Sequence, residues 1–291
     1  MLTRIAIATG KILLLAVLFI VGVSALTIGA TQGFGPTFAD SNTLDGFLFQ
    51  GFVQFAAALF AAAILVALLE RRSPAALGLA PRSVAFDALL GFVLGALTFA
   101  IVIALAVFMG VARYAPRLEQ FSVETLAILG LAIIFFAATE EILIRGYVLH
   151  ELRRRFSFAA AALVSSLIFA ALHAPTLLVA PLGIIGVVNI VLAGIWFSLA
   201  VLRSGGLWLP IGLHVGWNFA EGPLLGSALS GHEANRYWTV FEWNGPDWLT
   251  GGNFGPEASV LTTVALGIGT SIVLMLPQRA LSSPPSASSA A

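Results

Sequence analysis

Phe135-Phe136-Ala137-Ala138-Thr139-Glu140-Glu141-Ile142-Leu143-Ile144-Arg145 places three ionisable side chains inside an apolar run that extends over about residues 123–149. A helix needs roughly 20 apolar residues to cross the hydrocarbon core of a bilayer, and this run is long enough. An ionisable group at mid-bilayer costs about 3 kcal/mol on insertion scales, so each of the three requires a reason. Glu141 and Arg145 lie four residues apart on one helix face, with the acid first, which is the favourable order for an ion pair. Glu140 is rotated by roughly 100° from Glu141 and points elsewhere. The spacing therefore predicts that Arg145 compensates Glu141 while Glu140 faces a cavity. A charge cluster that only locks helices together explains the pair but not the third charge.

The surroundings make these charges conspicuous. Of 291 residues, 59% are apolar and only 10% are Asp, Glu, Lys or Arg, whereas a soluble domain carries about 25% charged residues. That composition excludes an ordinary soluble enzyme and a disordered chain. A net charge of zero leaves no basic stripe for a nucleic acid. With no cysteine there is no disulfide framework, thiolate metal site or cysteine nucleophile.

Apolar runs of spanning length recur at about 11–30, 46–69, 86–111, 123–149, 158–178, 183–203, 206–226 and 258–277. They predict an all-α polytopic membrane protein of eight helices. The runs are continuous rather than alternating, so no barrel is expected. Pro175 and Pro181 interrupt the boundary between the fifth and sixth spans. With the N-terminus inside, Arg4, Lys11, Arg71, Arg72, Arg82, Arg153, Arg154, Arg155, Arg203 and Arg279 fall on the inner side, against Arg113, Arg117 and Arg236 outside. This positive-inside bias puts both termini in the cytoplasm. A cleaved secretory signal ending near Val23-Ser24-Ala25 is the competing reading of the first span, but the apolar character continues through Ile28. Residues 1–280 read as a single membrane domain. The polar connection 227–257, with Trp238, Trp243 and Trp248, reads as interfacial anchoring. The Ser/Ala/Pro-rich tail 281–291 reads as disordered.

The remaining intramembrane polar groups are concentrated: His173 on the fifth span, and His214, Asn218 and Glu221 on the seventh. His173 follows Phe169 by four residues, and Asn218 follows His214 by four, so each pair shares a helix face. Alone, a His beside a proline is more often structural than catalytic, and an intramembrane Asn is more often interhelical glue. Depth brings the pieces into register. At 1.5 Å per residue, Glu140 lies roughly 15 Å from its helix end near His150, His173 roughly 22 Å above residue 158, and His214 roughly 13 Å above residue 205.

Glu140-Glu141-x-x-x-Arg145, Phe169-x-x-x-His173 and His214-x-x-x-Asn218 resemble, in order and spacing, the three motifs of the CAAX protease and bacteriocin-processing (CPBP) family of intramembrane proteases. This is the family of the type II CAAX prenyl endopeptidase. The resemblance covers about residues 86–226, a protease-like core. It implies peptide-bond hydrolysis in the membrane on protein or peptide substrates that are membrane-associated or lipidated. By that resemblance Glu140 would activate a water together with His173. His214 and Asn218 would stabilise the oxyanion, and Glu141, Arg145 and Phe169 would support the site. Donors in a water-poor site are worth more than in bulk.

The family has also been called a metalloprotease, and Glu140, His173 and His214 could supply three ligands to a zinc ion with an open position. Against this, His150-Glu151 is followed by Leu-Arg-Arg, so no His-Glu-x-x-His helix is present. A metal-free mechanism without a required cofactor is preferred. Two other readings compete. A secondary transporter would need paired features in its two halves, and none is found. A non-proteolytic binding or immunity member of the family would carry the same residues. The short loops and charge bias suit a bacterial inner (plasma) membrane.

Overall fold

The computed structural model describes residues 2–35, 38, 40–80, 83–177, 183–231 and 237–279. The tail 281–291 and Pro181 lie outside them. Among the described residues five helical segments are long and apolar enough to cross a membrane: Ile5–Phe34, Leu44–Leu69, Val84–Phe108, Val123–Arg153 and Gly183–Ser204. The principal helices are α1 (Leu2–Phe34), α2 (Leu44–Ile64), α3 (Val84–Phe108), α4 (Val123–Glu141), α5 (Phe158–Leu172), α6 (Gly183–Ser204), α7 (Trp208–Phe219) and α8 (Val260–Met275). α2, α4 and α7 each run on into a π-helical turn, Leu65–Leu69, Ile142–Val148 and Ala220–Leu224 respectively.

Local chemistry sets the helix starts. The hydroxyls of Thr43, Ser122, Ser157 and Ser259 accept hydrogen bonds from the backbone N–H groups of Gly46, Thr125, Ala160 and Thr262, satisfying donors that have no partner within the helix. The fifth apolar run is shorter than its sequence suggests. α5 stops at Leu172, His173 closes it, and Ala174–Leu177 forms a separate short turn. Pro175 explains the break: its ring is tolerated in a first turn but not within a continuing helix. α5 and α8 are shorter apolar helices than the five long ones.

Two further features depart from the sequence reading. The chain is not purely helical, because Ala112–Arg117 (β1) pairs antiparallel with Thr239–Trp243 (β2). Arg113 donates from Nε and Nη2 to Glu242 Oε2 across this pair, at 2.9 and 2.5 Å. That hydrogen bond and charge hold the Glu242 carboxyl below the usual carboxylate range. Trp238 is not an exposed interfacial anchor either. It is buried, with its ring edge against Phe121 at 5.1 Å. Trp248 does remain exposed.

The helices have a basic end and a strand-bearing end. At the basic end, Lys11 Nζ lies 3.3 Å from both Glu70 and Glu151, and Arg154 lies 3.1 Å from Glu70. Nearby along the same face, Arg279 pairs with Asp87 at 2.7 Å and its N–H donates to the Arg203 carbonyl. The β1–β2 ribbon caps the opposite end. Between the two ends α3 packs on α7, α2 on α4, and α6 on α5 and α8.

The α3–α7 contact fixes where His214 can be. Gly91 and Gly95 on α3 face Gly212 and Gly216 on α7, and the two backbones touch through them. A Cβ added at Gly95 would stand 2.1 Å from the Leu213 carbonyl oxygen, and one at Gly216 would stand 2.1 Å from that of Phe92. This is the small-residue packing that lets membrane helices approach closely. Because the obstacles are backbone atoms, Gly216→Ala is expected to cost about 1–3 kcal/mol. A lowered thermal unfolding midpoint in detergent would record it. Gly10→Ala, where a Cβ meets nothing within 4 Å, serves as the neutral control.

Candidate active site

Glu140 and Glu141 end α4, and the helix widens directly after them into the π turn that carries Arg145. Arg145 Nη1 donates to Glu141 Oε1 at 2.9 Å, and both side chains are fully buried. The guanidinium carbon lies 4.4 Å from the Phe169 ring centroid and 5.1 Å from that of Phe197. Nε and Nη2 of Arg145 have no hydrogen-bond partner among the described residues. The two aromatic faces take the place of those partners, a contact worth about 2 kcal/mol when desolvated.

Glu141 also holds His214. Nδ1 of His214 lies 3.0 Å from Glu141 Oε1. A carboxylate paired with arginine only accepts, so Nδ1 carries the proton and Nε2 is the nitrogen left to work. The imidazole is stacked on Phe197 at 4.7 Å with 19° between planes, and Phe169 meets it edge-on at 6.1 Å. Its Nε2 faces Glu140 Oε2 at 3.7 Å. That oxygen is buried and has no hydrogen-bond partner among the described residues, while the Glu140 side chain as a whole is 32% exposed.

His173 is set by the break after α5. Its Nδ1 lies 2.9 Å from the Phe169 carbonyl, which can only accept, so Nδ1–H donates and Nε2 keeps its lone pair. Its ring sits edge-on to Phe169 at 4.9 Å. Glu140, Phe169, His173, His214 and Asn218 all line one cavity of about 640 Å³. Glu141 and Arg145 lie behind its wall. Glu221 does not line it: this carboxylate is fully buried and accepts from Trp217 Nε1–H at 2.9 Å.

Among the described residues no group of three His, Asp or Glu side chains is disposed to hold a metal ion. Glu140, His173 and His214 share the cavity without forming a ligand set, and the metalloprotease reading is unsupported.

Residues 122–220 match the family model described as type II CAAX prenyl endopeptidase Rce1-like. The match covers about a third of the chain, and over that stretch the chain is similar to that family. No curated protein and no solved structure matches the chain. The Rce1-like segment contains all seven motif residues, from Glu140 to Asn218. That family is one of proteases, and the matched stretch is carried here on apolar helices of an integral membrane protein.

The cavity draws on more than the Rce1-like segment. Gln50 and Gln54 of α2, and Ser230, Glu257 and Leu266 beyond α7, also line it. Sequence reasoning missed these residues and Phe197. Gln50-x-x-x-Gln54 was a usable signal, being two amides on one face of an otherwise apolar helix. Phe197 carries no signal, since nothing distinguishes it from the other 21 phenylalanines until the helices are packed.

Proposed function

We propose that the chain is an intramembrane endopeptidase in which Glu140 activates water against a peptide bond of a membrane-associated or lipidated protein. The observation that carries this reading is the Glu140 carboxylate in the cavity, with an oxygen that has no hydrogen-bond partner among the described residues and lies 3.7 Å from Nε2 of His214.

In this mechanism Glu140 takes a proton from water and the hydroxide attacks the scissile carbonyl carbon. The free Nε2 lone pair of His173 accepts a hydrogen bond from the same water and orients it. Nε2 of His214 and the Asn218 amide stand on the side of the developing oxyanion and stabilise it by hydrogen bonding. When the tetrahedral intermediate collapses, the C–N bond breaks and Glu140 passes its proton to the leaving amine. Glu141 and Arg145 do not touch substrate. They position His214 and keep its Nδ1 proton in place.

Residues 1–280 act as a single membrane domain, with both termini on the cytoplasmic side of a bacterial inner membrane. The protein termini present in cells making the wild-type chain and absent from cells making Glu140→Gln test the reading. Identical sets would refute it. Cleavage is also expected to survive removal of divalent ions by a chelator. A loss restored by zinc alone would overturn the metal-free mechanism.

A further inference from the structure

The cavity is not placed symmetrically between the two ends of the molecule. Its rim is formed by Ser41 and Thr43 at the start of α2, Ser230 and Tyr237 beyond α7, and Glu257 ahead of α8. Each belongs to a helix end or connection on the strand-bearing side. Among the described residues no lysine or arginine lines the cavity. Among the described residues Glu257, whose Oε2 accepts from the N–H and hydroxyl of Ser230 at 2.9 and 2.6 Å, places a carboxyl group at its rim.

Toward the basic end the site is closed. Beneath Glu140 and His214 lie the buried Glu141–Arg145 pair and then Leu149 and Leu207, each 1% exposed. Beyond that floor comes the ion network of Lys11, Glu70, Glu151 and Arg154. A peptide approaching from the basic end would have to displace packed side chains and a paired buried charge. One approaching from the other end meets open cavity.

Basic residues collect on the cytoplasmic side of a membrane. We therefore infer that the peptide reaches Glu140 from the face opposite the basic loops. The substrates are then proteins that present their cleavable segment outside the cytoplasm. This inference rests on the proteolytic reading for its substrate class, but not for the direction of access.

The natural absence of cysteine makes the direction directly measurable. Ser41→Cys at the rim, Gln54→Cys deeper in the cavity and the exposed Ala75→Cys at the basic end are each placed in the full chain. Sealed cells are then treated with a membrane-impermeant maleimide. Ser41→Cys and Gln54→Cys are expected to react from outside, and Ala75→Cys only after the cells are permeabilised. Labelling of Gln54→Cys only after permeabilisation would overturn the inference. In the terminus comparison between wild type and Glu140→Gln, Glu140-dependent cleavage sites are expected in extracytoplasmic segments. Sites in cytoplasmic loops would overturn the substrate class and leave the protease reading intact. Identical termini in the two strains would remove the protease reading, and with it the substrate class, while the labelling result would still decide the direction of access.

Discussion

Glu140→Gln is expected to lower cleavage by about 10³-fold or more, because the variant keeps the shape of the side chain and removes the base. Loss of a general base alone accounts for 10²–10⁴-fold in typical enzymes. The fold should be indifferent to the change. Glu140 Oε2 makes no hydrogen bond among the described residues, and part of the side chain is open to the cavity. A substitution that keeps the side-chain shape there is expected to change stability by about 1 kcal/mol or less. The two measurements belong together: rate on an identified substrate, and thermal unfolding midpoint in the same detergent. Cleavage at the wild-type rate would end the mechanism. A large drop in the midpoint would show that the carboxylate is holding the structure instead.

Glu141→Gln is expected to damage both properties, for separable reasons. It leaves the Arg145 guanidinium buried without its counter-charge, and breaking a buried pair in this way costs about 3–5 kcal/mol. It also places a neutral amide where His214 Nδ1–H met a carboxylate, so the imidazole loses the acceptor that fixes its orientation and its Nδ1 proton. When the carboxylate behind a catalytic histidine is replaced by an amide, the loss is about 10⁴-fold in the best-studied protease. Adding Arg145→Met separates the two effects. Replacing both members of a buried pair by groups of similar volume is often neutral, so Glu141→Gln/Arg145→Met should regain most of the unfolding midpoint. It should not regain cleavage. If activity returned with stability, Glu141 would be a structural residue with no part in positioning His214.

What could be read in advance followed from short-range periodicity. Glu141 and Arg145 are four residues apart, and a helix brings such a pair together whatever surrounds it. The divergence of Glu140 follows from the same geometry. The bond between His214 and Glu141 spans α7 and α4, and no spacing within either helix encodes it. It depends on α7 being seated by the glycine contact with α3. That contact was legible in principle, since Gly91-x-x-x-Gly95 and Gly212-x-x-x-Gly216 both have the spacing of close membrane-helix packing. The π turn after Glu141 has no comparable signature, because Ile142–Val148 is as apolar as an ordinary helix. The β1–β2 ribbon was obscured for another reason: strands of six and five residues in polar connections are too short to show a period.

The cavity wall along α4 runs from Leu129 to Glu140, which is about 17 Å of helix. An extended chain advances about 3.3 Å per residue, so on the proteolytic reading about five residues of a helical substrate would have to unwind along this wall for a carbonyl to meet Glu140. In an apolar medium every unwound residue gives up backbone hydrogen bonds that lipid cannot replace. The enzyme would therefore discriminate by the frailty of the substrate's own helix. Segments broken by glycine or proline would be cut, and well-formed membrane helices would be spared even when they carry the same side chains.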